Sequence, residues 1–251
     1  RDPFVGIMKG VLLSICPSAR LVDLTHEIEP QDVLGGALAL EAALPFFPAG
    51  TVHLAVVDPG VGSARRAIAV RVSGGYLVGP DNGLLTLALG GAGWTAVSLT
   101  APQYRRPSGE VSRTFHGRDV FAPAAAYLAA GVPLERLGGV VANPKRLGLP
   151  GCQLEGRELV GEVLDADRFG NLITSIPAAR LREIPGRGPL ALEVARRLVS
   201  GPVDAYADGD DGAPTAIIGS TGRLEIFVKG GNARIQLGAG RGAVVRVTRS
   251  G

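Results

Sequence analysis

The chain carries an aspartate, two arginines and a histidine in sequence settings that suit acid–base chemistry. Asp58 follows the β-branched run of residues 51–57 and opens the motif Asp-Pro-Gly-Val-Gly, with Arg65 and Arg66 shortly after it. Ligands of open α/β sheets bind beyond the carboxyl ends of strands, so a carboxylate here is well placed to meet one. His116 stands beside Gly, Arg and Asp, and a histidine can hold a water or polarise an oxygen near neutral pH.

Each of these residues also has a purely structural interpretation. An aspartate before Pro-Gly often caps a turn, and Asp119 is expected to be the N-cap of the helix that follows His116. His53 lies inside a predicted strand and is expected to be structural, while His26, after a strand, is a weaker candidate than His116.

Three further loops carry side chains that suit a polar small molecule. Asp81 and Asn82 can bind hydroxyl groups, with a helix cap as the structural alternative. Phe169 can stack on a planar base while Asn171 pairs with its edge, although a hairpin turn explains that loop equally well. Ser220 lies in a glycine-bounded loop whose hydroxyl and N–H groups can hold a carboxylate.

The composition argues against several classes of function. An apolar share of 46% and a charged share of 20% are ordinary for a globular protein, and the net charge of +3 comes from scattered arginines. We expect no nucleic-acid partner, because no basic run is interleaved with aromatics, and no membrane span, because no apolar run is long enough. The sequence has no P-loop, dinucleotide fingerprint, metal-ligand spacing or nucleophile elbow. We therefore expect a cytoplasmic protein with no metal and with Cys16 and Cys152 as buried thiols.

Strands and helices that must position these residues alternate in the first part of the chain. Helical spacing covers residues 4–15, 31–44, 84–89 and 119–130, and strand-like runs cover residues 20–24, 51–57, 67–72 and 76–78. This alternation predicts an α/β domain over residues 1–145, with a mostly parallel sheet and helices on both faces.

The last part of the chain has a different composition. Short β-rich runs separated by glycine-rich turns cover residues 158–165, 171–176, 190–194, 216–218, 224–228 and 244–247. They predict a smaller all-β, barrel-like domain over residues 156–251. The boundary is expected in the Pro/Gly-containing stretch 142–155.

Taken together, these segments resemble the S-adenosylmethionine (SAM) hydroxide adenosyltransferase family, the SAM hydrolases related to fluorinases and chlorinases. The stretches that carry the resemblance run in family order: FVGIMKG, VDLTHEI, FFPAGTVHLAVVDPGVGSARRAI, VGPDNGLL, TFHGRDVFAPAAA, DRFGNLITSI and GSTGRLEI. The resemblance implies an α/β domain joined to a β-barrel, in a homotrimer whose SAM sites lie between subunits.

By position, the resemblance implies a triad of Asp58, Arg65 and His116 that positions and activates water. Arg66 adjoins Arg65, so the sequence leaves open which guanidinium points inward. The implied reaction is attack of water or hydroxide on the ribose C5′ of SAM, which gives adenosine and L-methionine. SAM is then the substrate, and no cofactor or metal is required.

The resemblance also implies substrate contacts outside the triad. Asp167, Phe169 and Asn171 match a segment that contacts substrate, Ser220 matches a methionine-carboxylate contact, and Asp81 and Asn82 match a family loop. Family members begin with a strand ending in Thr-Asp-Phe-Gly, whose aspartate binds the ribose hydroxyls; Asp2 comes too late in the pattern to be that residue.

Two alternative functions compete with hydrolysis. The halogenating relatives carry a tyrosine where Asp58 stands and an inserted loop after the next strand, whereas here the run 67–72 passes directly through Ser73-Gly74-Gly75 to Tyr76. Both departures favour a hydrolase over a halogenase. A non-catalytic adenosine- or SAM-binding protein is the alternative from a different class.

Overall fold

The computed structural model describes residues 2–90, 93–107 and 109–249. The chain divides into two compact units between Leu147 and Gly148, within the stretch 142–155. Each unit has its own sheet, with two buried apolar clusters in the first unit and one in the second.

The first unit contains a four-stranded mixed sheet. Its strands are β1 (Thr51–Leu54), β2 (Ala67–Val72), β3 (Gly75–Pro80) and β4 (Thr95–Ser98), in the order β1-β3-β2-β4. β1 and β3 are parallel, but β2 is antiparallel to both β3 and β4, so the predicted mostly parallel sheet is wrong. The reason is the two-residue turn between β2 and β3, since a parallel crossover needs a dozen or more residues.

Helices of the first unit pack on both faces of this sheet. They are α1 (Phe4–Ile15), α2 (Val33–Ala43), a π-helix (Gly117–Phe121), α3 (Ala122–Ala129) and 3₁₀ turns at Leu44–Phe46, Pro102–Tyr104 and Leu134–Leu137. Successive residues of β2 alternate between two cores: Ala69 packs with α3, whereas Ile68 and Val70 pack in the cluster that contains Leu40 of α2. No described helix is both long enough and apolar enough to cross a membrane.

Two predicted elements of the first unit are not formed. Residues 20–24 are not a strand: they pair with no strand among the described residues, and Val22 is 67% exposed. Residues 84–89 form turns instead of a helix. Their backbone is held by other partners, because Thr86 accepts hydrogen bonds from Leu147 N and from the Arg146 guanidinium.

The second unit is a closed β-barrel, which confirms the barrel-like prediction. Its strands are β5 (Gln153–Glu155), β6 (Glu158–Ala166), β7 (Leu172–Pro177), β8 (Leu190–Val194), β9 (Arg197–Val203), β10 (Pro214–Ile218), β11 (Arg223–Val228) and β12 (Val244–Arg249). The order is β12-β8-β9-β10-β11-β7-β6-β5, and β12 also pairs with β6. Strands β6 to β12 therefore form the ring, with β5 attached to its outside.

Short helical elements complete the second unit, namely α4 (Ala233–Leu237) and 3₁₀ turns at Ala178–Glu183 and Tyr206–Asp208. Inward-facing Leu, Ile and Val side chains of the strands fill the barrel core. Strand β9 was not predicted from the sequence. Gly201 and Pro202 interrupt it, and its apolar residue Leu198 is 81% exposed. The apolar pattern of a half-buried strand is therefore weak there.

Candidate active site

A tight loop after β1 presents Asp58. Ala55 N still donates to Val78 O of β3, and the chain then turns with Val61 N donating to Asp58 O. Gly62 has a φ of 75°, and a Cβ atom at this position would collide with the carbonyl oxygen of Arg113. Glycine is therefore required where the Asp58 loop touches the segment that leads to His116.

The Asp58 carboxylate forms a two-point ion pair with the Arg65 guanidinium. Arg65 Nε donates to Asp58 Oδ1 over 2.7 Å, and Arg65 Nη2 donates to Oδ2. Both side chains are buried, with exposures of 7% for Asp58 and 9% for Arg65. The guanidinium also lies 5.1 Å from the centre of the Phe121 ring. Bidentate geometry and burial fix both groups in one orientation.

Arg65 also contacts His116. Its Nη2 lies 2.8 Å from His116 Nδ1. Because a guanidinium can only donate, Nδ1 must accept, and the neutral ring carries its proton on Nε2. Burial lowers the pKa of His116, as do the nearby Arg65 and Arg105 charges, while Asp58 and Asp119 act in the opposite direction. His116 is thus a neutral hydrogen-bond donor through Nε2 near neutral pH.

Arg66 has different partners from Arg65, which answers the question that the sequence left open. Its Nε donates to Asp81 Oδ2 over 2.6 Å, and its Nη1 donates to Asn143 Oδ1 over 3.0 Å. The other oxygen of Asp81 accepts from Lys145 N over 2.6 Å. Arg65 is the arginine that faces Asp58 and His116.

Asp81 and Asn82 both hold the loop that follows β3. Asn82 Nδ2 donates to Val57 O over 2.8 Å, and its Oδ1 accepts from Leu84 N over 3.1 Å. Asn82 thereby ties the end of β3 to the residue before Asp58. The structure gives both side chains protein partners, and their contact with substrate stays a prediction.

Asp119 is buried beneath the segment that carries His116, and the prediction that it caps a helix is wrong. It lies within the π-helix and is fully buried. Its carboxylate accepts hydrogen bonds from Arg106 Nε at 2.6 Å, Arg118 Nε at 2.7 Å and Ser112 N at 2.8 Å. Burial alone would raise its pKa, but these donors outweigh burial and lower the pKa to about 2.

The predicted substrate residues of the second unit lie in two exposed loops. Asp167 Oδ1 accepts from Phe169 N and Asn171 N, both at 2.9 Å, and Oδ2 accepts from Asn171 Nδ2 at 2.9 Å. Phe169 is 75% exposed, so its ring is open to a ligand. Ser220 is exposed in the turn between β10 and β11. Asp167 thus shapes the loop that presents Phe169.

Neither of the remaining histidines joins the triad. His53 is buried in β1 and packs edge-on against Phe47 at 5.2 Å, as its structural interpretation predicts. His26 forms an exposed pair with Asp23 at 3.0 Å. Within residues 2–90, 93–107 and 109–249, no group of three or more His, Cys, Asp or Glu side chains could hold a metal ion.

Comparison with known protein families gives two matches in different parts of the chain. Residues 1–138 match the model of the SAM hydroxide adenosyltransferase N-terminal domain, and residues 161–246 match that of the C-terminal domain. The chain belongs to the SAM hydroxide adenosyltransferase family. This agrees with the resemblance that the sequence motifs indicated.

Individual relatives of this SAM hydroxide adenosyltransferase family member cover nearly its whole length. It is 45% identical to the (R)-S-adenosyl-L-methionine hydrolase of Thermus thermophilus, over 98% of this chain and 94% of the relative. It is 32% identical to a fluorinase of Actinopolyspora mzabensis, over 99% and 94%. Its structure matches the crystal structure of an uncharacterized conserved protein from Thermotoga maritima, with a TM-score of 0.91, 34% identity and coverage of 99% and 96%.

Two buried acidic residues of this SAM hydroxide adenosyltransferase family member, Asp119 and Glu225, were not predicted from the sequence to be buried. Asp119 was interpreted only as a helix cap, because its pairing with Arg106 and Arg118 is visible only in the folded chain. Glu225 is buried against the backbone of Gly219, next to Ser220. Burial raises its pKa, and the Asp167 charge adds to this rise. A Glu inside an apolar strand pattern was the available signal.

Proposed function

We propose that this protein is a SAM hydrolase: water or hydroxide attacks the ribose C5′ of SAM and releases adenosine and L-methionine. The 45% identity to a named hydrolase supports the substrate and the reaction. The observation that carries the proposal is the arrangement of Asp58, Arg65 and His116, in which one guanidinium binds the other two side chains.

In this proposal Asp58 accepts the proton of the attacking water. Arg65 supplies one N–H to each carboxylate oxygen, and each oxygen keeps a further lone pair for a water proton. His116 is not the base in this state, because its Nδ1 accepts from Arg65 and its Nε2 carries the proton. Nε2 instead donates to the water oxygen and orients it for attack.

The leaving group needs no help from the protein. The positively charged sulfonium of SAM departs as a neutral thioether, so no acid has to protonate it. The bond that forms joins the water oxygen to C5′, and the bond that breaks joins C5′ to sulfur. An oxygen nucleophile with a shared proton is stabilised electrostatically near the sulfonium charge. SAM is the substrate, and the proposal requires neither a cofactor nor a metal.

A halogenase is the second candidate, because a fluorinase covers 99% of this chain at 32% identity. Two observations favour hydrolysis. Asp58 puts a carboxylate where a halide would be repelled. Val72 of β2 pairs with Gly75 of β3 across a two-residue turn, so the insertion implied for halogenating relatives does not occur at this point.

Incubation with SAM and chromatography of the products tests the proposal. We expect adenosine and methionine in equal amounts, with unchanged products in the presence of fluoride or chloride. The variant D58N should lower turnover by about 10²- to 10⁴-fold while calorimetry shows SAM binding within a few-fold of wild type. No adenosine above the blank would overturn the proposal. A halide-dependent 5′-halo-5′-deoxyadenosine would favour a halogenase, and binding without turnover a non-catalytic protein.

We also propose a homotrimer with its SAM sites between subunits and a cytoplasmic location. The trimer rests on the family resemblance, and the exposed Phe169 and Ser220 are consistent with contacts made to another subunit. Light scattering tests the assembly, since a trimer has three times the mass of the chain. A mass equal to that of one chain would overturn it.

A further inference from the structure

A cavity of about 350 Å³ lies beside the triad in the first unit. Its polar lining comes from the end of β4, the start of β2 and the loop before the π-helix. The residues that matter here are Arg65, Arg66, Ser98, Thr100, Arg105 and His116. The lining, all of it described, contains three arginines and no acidic residue, so its charged groups are all positive.

Two of the three arginines already have an acidic partner outside the cavity. Arg65 pairs with Asp58, and Arg66 pairs with Asp81. Arg105 differs, because its Nε is buried and has no hydrogen-bond partner among the described residues. Buried donors are nearly always satisfied in folded proteins, so this donor calls for a ligand or solvent partner.

The backbone holds Arg105 in place on both sides. Arg105 N donates to Pro102 O over 3.2 Å, and Arg106 N donates to Asp119 O over 3.1 Å. The side chains of Arg106 and Arg118 both donate to Oδ1 of the buried Asp119. The Asp119 carboxylate therefore has its own arginine partners, and Arg105 borders the cavity.

We propose that this cavity is a binding site for a small oxyanion, with Arg105 as the residue that holds it. A planar guanidinium matches a carboxylate, sulfate or phosphate group through two parallel N–H donors. Thr100 also lines this cavity, and a threonine hydroxyl can donate a further hydrogen bond. The site shares a wall with the triad through Arg65 and His116, but Asp58 does not line it.

Occupancy of this site has an electrostatic consequence for His116. The groups that act on its charge are Arg65 and Arg105, which lower its pKa, and Asp58 and Asp119, which raise it. An oxyanion on Arg105 offsets one of the two opposing positive charges. Binding of the anion and protonation of His116 then favour each other, as linkage requires.

Calorimetric titration of sodium sulfate and, separately, sodium acetate into the full chain tests the proposal. The variants are R105Q, R105K and, as a matched control, R136Q, which removes one exposed positive charge from the same unit. We expect saturable binding by wild type and R136Q with the same Kd, about tenfold or greater weakening in R105K, and none in R105Q. At an anion concentration near ten times Kd, the Tm of wild type should rise by about 3–5 °C.

Each outcome decides for or against the proposal. Tighter binding of sulfate identifies an inorganic oxyanion as the ligand class, and tighter binding of acetate identifies a carboxylate. Equal responses of wild type and R105Q, or no saturable binding to wild type, would overturn the proposal. If R105Q does not fold, the R105K variant tests the proposal instead. An unchanged Kd in R105K would contradict recognition of the anion by the Arg105 guanidinium. The titration contains no SAM, so its result is independent of the proposed hydrolysis.

Discussion

The Arg65 guanidinium donates to Nδ1 of His116 over 2.8 Å, and this direction places the ring proton on Nε2. A doubly protonated His116 would have an N–H facing the guanidinium, so the contact would be lost. The hydrogen bond and the ionisation state of the histidine are therefore coupled. Neutral His116 is the form that fits the triad.

This coupling predicts an acidic limit to activity. Burial and the Arg65 charge lower the pKa of His116 from its ordinary value of 6.5. We expect kcat/KM to be constant above pH 6.5 and to fall as the pH drops through the lowered value. The free energy of unfolding should also fall as the pH drops, because the unfolded chain binds a proton on His116 more tightly than the folded chain does. A pH profile that falls at or above 6.5, or one that is unchanged in H116Q, would contradict this prediction.

The shape of Arg65, as well as its charge, should matter. We expect R65K to lower kcat by about 10²-fold, because one ammonium cannot span both oxygens of Asp58 and reach His116. R66K is the matched control at the adjacent residue, whose side chain is 40% exposed and can still pair with Asp81 as lysine. Steady-state kinetics should place R66K within a few-fold of wild type. Similar losses of kcat in R65K and R66K would contradict a special role for the Arg65 guanidinium.

Asp119 should stabilise the fold in a pH-dependent way. Its pKa of about 2, compared with an ordinary 3.8, adds about 2 kcal/mol to the free energy of unfolding above pH 3.8. This contribution is lost as the pH falls through about 2. We expect D119N to be destabilised by about 3–5 kcal/mol at neutral pH, because Arg106 and Arg118 lose their buried partner. Urea unfolding at neutral pH and between pH 4 and 2 measures both effects, and a D119N protein as stable as wild type would refute them.

Gly62 should be sensitive to the addition of a single methyl group. We expect G62A to lose about 2 kcal/mol or more, since its φ of 75° is unfavourable for alanine and the Cβ would collide with Arg113 O. Turnover should fall as well, because the collision displaces the segment leading to His116. Gly74 has open space around it, so G74A is the control that should leave both properties nearly unchanged. Thermal unfolding and kinetics on both variants give the comparison.

Local pattern determined which elements the sequence could predict. The bounds of α1 and β2 were predicted correctly, because the helical apolar spacing of α1 and the continuous apolar run that begins β2 are local properties of the sequence. The sheet direction was wrong because the alternation of elements was given more weight than the two-residue turn between β2 and β3. The strand over residues 20–24 failed because a strand needs a neighbour, which its own residues do not specify.

The candidate site was predictable in composition but not in detail. Asp58 and His116 were found from their motifs, and their proximity in the structure fits the triad that the resemblance implied. The partner of each arginine was not predictable, because it depends on the direction in which two adjacent side chains point. The pairing of Asp119 with Arg106 and Arg118 and the unpartnered Nε of Arg105 are visible only in the folded chain.

Arg65 and Arg66 enter β2 side by side, and Arg66 O still accepts from Asp81 N as a continuation of the β2–β3 ladder. Their guanidiniums nevertheless bind different carboxylates, Arg65 that of Asp58 and Arg66 that of Asp81, although both residues line the same cavity. A slip of one residue in this ladder would put Ala64 or Arg66 in the place of Arg65, so that Asp58 would lose its present partner. The number of residues between Gly60 and Ala67 therefore determines which side chain faces Asp58. A single inserted residue there would inactivate the site even though every proposed catalytic side chain was still present.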